Sequence, residues 1–359
     1  MRKIINTVLI LLLVINVLYV SAGALFHPLQ SEDAIGIWLF KAKAFYVEKG
    51  FPNQFLHNSN FAYSHQQYPL GLPFLFFLIY QLAGGVRENI LLLIYPVLYM
   101  AIIILAYRVI RTRATSTYAL IFTYIYSMLS PLIASGGRIL AGNADIFIVF
   151  IEWLIIFIIY KKKQLFRDYL LIVLLIMVAS QIKLEGIFLS VILLFLPIVK
   201  KYKFSLFSIS LVPLLLWFFV VYMFKIPSDT HIMLPNIHEL FSRLTIITLG
   251  IFKELVNINN WYFFWPLVGL VIFVKGKLSV QMNRILLPSY GIIMVLYILV
   301  YISSSTDTYK YINSSFDRVL FQHSAIIFLF LFEKMIGIDF RSNIVKSFKR
   351  GIDYTIDKK

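Results

Sequence analysis

The sequence predicts an all-α, polytopic membrane protein of about ten transmembrane helices with a helical first external loop. Three observations carry that expectation. Hydrophobic residues make up 60% of the 359-residue chain and charged residues 14%, where a soluble domain averages roughly half apolar and a quarter charged. The mean hydropathy is +0.84. Apolar runs recur from Ile4 to Phe332 with no long polar linker between them, which indicates one membrane-embedded unit over residues 1–335 and a basic cytoplasmic tail over 336–359.

The net charge of +16 does not point to nucleic acid. Basic residues gather beside apolar runs, as at Lys161, Lys162 and Lys163 or at Lys200, Lys201 and Lys203, and such clusters mark cytoplasmic helix ends. The lipid bilayer is therefore the expected partner of this surface. The chain has no cysteine, which excludes disulfides, thiolate chemistry and sulfur-ligated zinc. Met1 to Ala24 begins like a signal peptide, but the apolar run Ile4 to Val20 exceeds an ordinary signal core and reads as a retained first span.

Spans need about 20 apolar residues, and flanking Lys and Arg set their direction. Arg2 and Lys3 place the N-terminus in the cytoplasm, and the first helix, about Ile4 to Leu25, leads to a long polar stretch outside. That first external loop is expected to cover residues 27–88. Arg108, Arg111 and Arg113 belong inside, so only one crossing separates them from it. Asn89 to Tyr107 has the length of a span; the shorter Pro69 to Leu82 piece is then a juxtamembrane or re-entrant helix within the loop.

The next crossings follow by parity: Thr115 to Ala134 outward, Asp145 to Tyr160 inward, and the hairpin Tyr169 to Gln181 with Gly186 to Val199, whose tip Lys183 to Glu185 is external. Phe204 to Phe224 leads to a second external loop between Lys225 and Asn260, where His238 and Glu239 are expected to be solvated. Trp261 to Val274 returns to Lys275 and Lys277, Ile285 to Ile302 goes out, and the last span opens at Arg318. Both termini are thus cytoplasmic, in a plasma-membrane protein.

Charged residues in or beside lipid are expensive and demand a reason. Outside the basic clusters they are Glu32, Asp33, Lys41, Lys43, Arg138, Asp145, Lys183, Glu185, Asp307, Asp317 and Arg318, and this topology puts all of them on the extracytoplasmic side. Each also has a plain structural reading. Ser31, Glu32 and Asp33 suit the first turn of a helix; Lys41 and Lys43 suit lipid headgroups; Lys183 and Glu185 suit a local ion pair; Arg318 suits a snorkelling helix end.

Their order along the chain adds a family resemblance. Glu32-Asp33-Ala34-Ile35-Gly36-Ile37-Trp38-Leu39-Phe40-Lys41-Ala42-Lys43-Ala44 after the first span, then Tyr68-Pro69-Leu70, resembles the first external loop of GT-C membrane glycosyltransferases. The likeness is greatest to bacterial relatives of the dolichyl-phosphate-mannose protein mannosyltransferases. Gly142-Asn143-Ala144-Asp145, Lys183-Leu184-Glu185-Gly186 and Ser314-Ser315-Phe316-Asp317-Arg318 follow in matching order, so the resemblance covers roughly Met1 to Phe332. Gln67 departs from the His or Asp that relatives tend to carry before Tyr-Pro-Leu.

The resemblance implies transfer of a sugar from a polyprenyl-phosphate donor to an extracytoplasmic hydroxyl on a glycan, lipid or protein, with inversion. In that family the acidic residue of the first external loop activates the acceptor, a position occupied here by Asp33, with Glu32 as the second candidate. A departing phosphate needs cations, and the planar fork of Arg suits two oxygens at once. Arg318 leads that set, followed by Lys183, with Glu185 orienting it or reading sugar hydroxyls, then Lys41 and Lys43. Asp145 and Tyr68 complete the candidate pocket. No cofactor is required by these residues and no metal spacing is evident, although Glu32 with Asp33 would suit a divalent cation. The alternative is a membrane transporter or lipid flippase, whose intramembrane charges usually lie near the midplane within repeats; here they gather at one face, and no repeat is visible.

The topology is testable because single cysteines can be introduced into a cysteine-free background. Cysteines at Glu32, Glu185 and Asp307 are expected to react with an impermeant maleimide on intact cells, and one at Lys162 is expected to react only after permeabilisation.

Overall fold

Among its fifteen residues the Asp145–Ile159 helix buries twelve. Its sequence is apolar on every side except for Asp145 and Glu152, and a helix apolar all round is stable only at the centre of a bundle or in lipid. The rest of the protein is arranged around it. The Ile94–Arg111, Phe166–Ile182, Thr308–Gln322 and Ser324–Gly337 helices all pack against it. One continuous apolar core extends from Val20 to Phe332.

The computed structural model describes residues 1–198, 200–227, 233 and 235–337. The tail expected at 336–359 lies outside the described residues from 338 onward, as do the side chains of residues 200 and 201. The described chain is all-helical, without strands. Lipid offers no partner for an open N–H or C=O, so helices, whose backbone bonds are internal, are the expected outcome for a chain this apolar.

Four helices are long and apolar enough to cross a bilayer: Arg2–Phe26, Glu88–Arg111, Tyr202–Met223 and Met282–Ser303. The number rises to six if two bent pairs each make one span, Ser116–Ser127 with Ser130–Gly137 at 69° and Thr308–Gln322 with Ser324–Gly337 at 56°. All six coincide with expected crossings, and they support a multi-pass membrane protein. The remaining expected crossings fall on shorter helices, among them Asp145–Ile159, Phe166–Ile182 and Phe264–Ile272. Fifteen residues reach only about 22 Å, against a hydrocarbon core of about 30 Å. By length and composition the described residues hold four to six spans rather than ten.

The stretch between the first two spans is largely helical, through a π-helical segment Ala34–Leu39, then Phe40–Val47, Asn53–His57, Ser59–Ser64 and Gly71–Leu82. The last of these is the short apolar helix expected at Pro69 to Leu82. Two other expectations change. The segment read as a loop between Lys225 and Asn260 contains the Ile237–Leu255 helix, opened by a reciprocal cap in which Asn236 accepts from the Glu239 N–H and Glu239 from the Asn236 N–H. An amphipathic helix of this kind has no apolar run long enough to read as a span. The final element begins at Thr308, not Arg318, because the Asp307 carboxylate caps it by accepting from Lys310 N–H at 2.8 Å; Arg318 lies in mid-helix, before the bend at His323.

Close backbone approach joins the Arg2–Phe26 helix to Ser130–Gly137. A Cβ on Gly137 would lie 2.0 Å from the Val20 carbonyl oxygen, and one on Gly23 would lie 2.6 Å from the Gly137 oxygen. Small residues allow such contact, and in lipid this packing is a main source of association. Gly137→Ala is therefore expected to destabilise the protein by about 1–3 kcal/mol. Gly291→Ala, with nothing within 4 Å of the new methyl, is the control, and should be neutral or slightly stabilising in thermal unfolding of purified protein.

Candidate functional site

Gly142 adopts a φ of +98°, a region that disfavours side chains, and a Cβ there would lie 2.4 Å from the Ala34 methyl. A glycine at this turn lets the segment after the first span lie directly on the start of the Asp145 helix. Two hydrogen bonds fix the junction: Ser31 Oγ donates to Asn143 Oδ1 at 2.5 Å, and Tyr95 OH donates to the Asn143 carbonyl at 3.2 Å. Ser31 Oγ also accepts from Ala34 N–H, so it caps the helical turn that carries Glu32 and Asp33. Asp33 is thereby delivered to the same end of the bundle as Asp145.

There Asp145, 2% exposed, is met by three donors. Lys183 Nζ lies 2.9 Å from Oδ1, Gln322 Nε2 2.5 Å from Oδ1, and Arg318 Nε 2.7 Å from Oδ2. The other arm of the Arg318 fork, Nη1, donates to Asp33 Oδ2. Lys183 also faces Glu185 at 3.6 Å, and Tyr297 OH donates to Gln322 Oε1 at 2.8 Å. Each element contributes for a local reason. Asp145 is in a first helical turn, where the dipole favours an anion; Lys183 ends the Phe166–Ile182 helix in extended conformation; Arg318 and Gln322, four residues apart, share one helix face.

The site thus holds three carboxylates and two cations. Asp145 is saturated by partners and has the character of an anchor, because a buried carboxylate is retained only where it is paired and hydrogen-bonded. Asp33 differs: its side chain is 34% exposed and Arg318 holds only one of its oxygens. It is the most open of the three to a ligand.

Asp33, Asp145, Lys183, Glu185 and Arg318 are therefore brought together from parts of the chain far apart in sequence. The other candidates lie elsewhere. Glu32 is exposed. Lys43 pairs with Glu88 at 2.6 Å on the surface. Lys41 is fully buried, donating to the His65 carbonyl at 2.6 Å with its ammonium 5.5 Å from the Tyr68 ring and 5.9 Å from the Trp38 ring. That corrects the headgroup reading of Lys41, since a fully buried ammonium cannot snorkel. Tyr68 stacks on His65 at 4.9 Å within the same aromatic group. Among the described residues no group of three or more His, Asp or Glu is placed to share a metal ion.

Four further polar residues belong to this region. Gln322 and Tyr297 are neutral and carry no charge signal, although the spacing of Gln322 from Arg318 would have placed it on the same face. Glu152 and His323 form a fully buried pair, His323 Nδ1 to Glu152 Oε1 at 2.8 Å, and among the described residues His323 Nε2 has no hydrogen-bond partner. Glu152, two turns from Asp145 in an otherwise apolar run, was visible as an intramembrane ionisable residue.

Comparison of the chain with protein-family models, with curated proteins and with solved structures yields no match. Fold and site together define an all-helical, multi-pass membrane protein with a buried ion-pair cluster at one end of its bundle.

The cluster makes a quantitative prediction. Arg318→Ala leaves Asp145 buried with fewer charges to balance it and is expected to cost about 3–5 kcal/mol. Combined with Asp145→Asn it should cost less than the two single changes together, with a coupling of about 0.5–3 kcal/mol. Denaturation of the four proteins in one detergent measures the cycle.

Proposed function

We propose that the chain is a GT-C-type membrane glycosyltransferase that moves a sugar from a polyprenyl-phosphate donor to an extracytoplasmic hydroxyl of a glycan, lipid or protein, with inversion at the anomeric carbon. The observation that carries this reading is the reachable Asp33 carboxylate held against Arg318, whose other arm is anchored by Asp145 beside Lys183. A base and two cations within one cluster are what the reaction requires. The proposal includes about ten crossings, with Asp145–Ile159 and Phe166–Ile182 among those shorter than a full span, and a plasma-membrane location with both termini cytoplasmic.

In this mechanism the acceptor oxygen attacks the anomeric carbon, its proton passes to Asp33, and the bond from that carbon to the phosphate oxygen breaks with the electron pair leaving on the phosphate. Arg318 and Lys183 stabilise the charge that develops there. A donor phosphate competes with Asp33 for the Arg318 fork, so donor binding frees the base for the acceptor. Asp145 is a positioning residue, which keeps both cations aimed at one place. Glu185, beside Lys183, orients it or reads sugar hydroxyls; Glu32 is the reserve base.

One observation favours a transporter or flippase instead: the buried Glu152–His323 pair, two helical turns below the cluster, suits a path for protons or ions. Purified protein in the absence of any gradient separates the two, since sugar transfer from a polyprenyl-phosphate donor supports the enzyme and flux that needs a gradient supports transport.

Asp33→Asn is expected to abolish single-turnover transfer, because the amide cannot take the proton, while changing stability by no more than about 1 kcal/mol at this partly exposed ion pair. Glu32→Gln should retain most of the rate. Arg318→Lys should restore only part of the donor affinity lost in Arg318→Ala, since the two-pronged geometry is gone. An Asp33→Asn protein with unchanged turnover would remove Asp33 as the base.

A further inference from the structure

At the opposite end of the Asp145 helix lies a crevice of about 1810 Å³. That exceeds the usual range of small-molecule pockets, about 300–1,000 Å³. Its walls come from four separate parts of the chain and carry Arg2, Arg111, Arg113, Lys275, Lys277 and Lys334. Among the described residues that line it there is no Asp or Glu.

Several of these cations are held in place by groups that do not neutralise them. Arg111 Nη1 donates to the Ala114 carbonyl at 2.8 Å, Lys334 Nζ to the Val274 carbonyl at 3.0 Å, and Arg2 Nε to Thr117 Oγ1 at 3.2 Å. Among the described residues an acid next to the wall, Glu333, is buried and already committed. It accepts from Tyr160 OH at 2.8 Å and from Ser279 N–H at 2.6 Å, and Arg113 stands 3.8 Å away. A concave surface lined by one sign of charge concentrates its field inward and attracts an anion. The chain beyond Gly337 does not complement it in charge, since Arg341, Lys346, Lys349, Arg350, Lys358 and Lys359 outnumber Asp339, Asp353 and Asp357.

The lining also has an apolar side. Phe273 is 87% exposed and Ile272 55% exposed, with Tyr118 and Ile336 also in the wall. Cations beside exposed aromatic and aliphatic groups suit an amphiphile better than a water-soluble ion, and basic pockets between membrane helices recognise anionic headgroups. We propose that this crevice binds the phosphate-bearing headgroup of an anionic membrane lipid, with the acyl chains passing out over Ile272, Phe273 and Ile336. The site is separate from the Asp145 cluster and does not depend on the transferase reading.

The test titrates full-length detergent-solubilised protein with short-chain phosphatidylglycerol, phosphatidylcholine of the same chain length, and glycerol phosphate, with binding read by native mass spectrometry and by the rise in melting temperature. Binding of phosphatidylglycerol at least about tenfold tighter than of either other probe is expected, as is a loss of at least about tenfold in Lys275→Glu/Lys277→Glu. Lys162→Glu/Lys163→Glu, a basic cluster outside the crevice, should leave binding unchanged. Should the charge reversal prevent folding, Lys275→Gln/Lys277→Gln must still weaken phosphatidylglycerol binding. Equal binding of phosphatidylcholine, or equal losses from the two charge reversals, would mean general surface attraction and overturn the proposal; equal binding of glycerol phosphate would assign the crevice to a soluble phosphate and overturn the lipid.

Discussion

The rest of this structure depends on the Asp145 carboxylate. It sits buried at the first turn of the most enclosed helix, where an unpaired charge would cost several kcal/mol. Its two oxygens are satisfied only by Lys183, Gln322 and Arg318 together. That requirement brings the end of the Phe166–Ile182 helix and the middle of the Thr308–Gln322 helix to one point, and Arg318 then reaches across to Asp33. A desolvated anion thus draws distant segments into one cluster and leaves Asp33, the most open of its three carboxylates, at the edge.

The same helix organises polar groups along its length. Asp145 holds the ionic cluster, Glu152 pairs with His323 about 10 Å lower, and Tyr160, about 22 Å from Asp145, reaches Glu333 at the basic crevice. Each level is closed by a residue of the bent pair Thr308–Gln322 and Ser324–Gly337 or of its junction: Arg318 and Gln322, then His323, then Glu333. Core helices of low polarity acquire a unique rotation and register from such bonds, because a slip of one residue would leave several buried groups unpaired at once.

Bent spans fit this arrangement. A break in a helix frees backbone groups that lipid cannot satisfy, so other parts of the protein must meet them. At the 69° bend, Tyr99 OH donates to the Ser127 carbonyl at 2.8 Å, and Asn16 Nδ2 reaches Ser127 Oγ at 3.0 Å. At the 56° bend, the side chains on either side of His323 are themselves bonded, Gln322 to Asp145 and Ser324 to Tyr126. Gln322, at the second bend, belongs also to the Asp145 cluster.

The helical class, the membrane environment and the places of the six spans and bent pairs follow from the chain by itself, because apolar run length and flanking charge are one-dimensional properties set by bilayer thickness. The short helix before Leu82 and the importance of Asp33, Asp145, Lys183, Glu185 and Arg318 as costly charges were legible for the same reason. Only the folded chain decided which of these charges meet. It drew in the neutral Gln322 and Tyr297, sent Lys41 into an aromatic cage and Lys43 to a surface pair, and converted a supposed loop into the Ile237–Leu255 helix. Pairing depends on helix rotation, on bends and on the glycine contact between Gly142 and Ala34, and these arise between segments far apart in the sequence, where no local pattern records them.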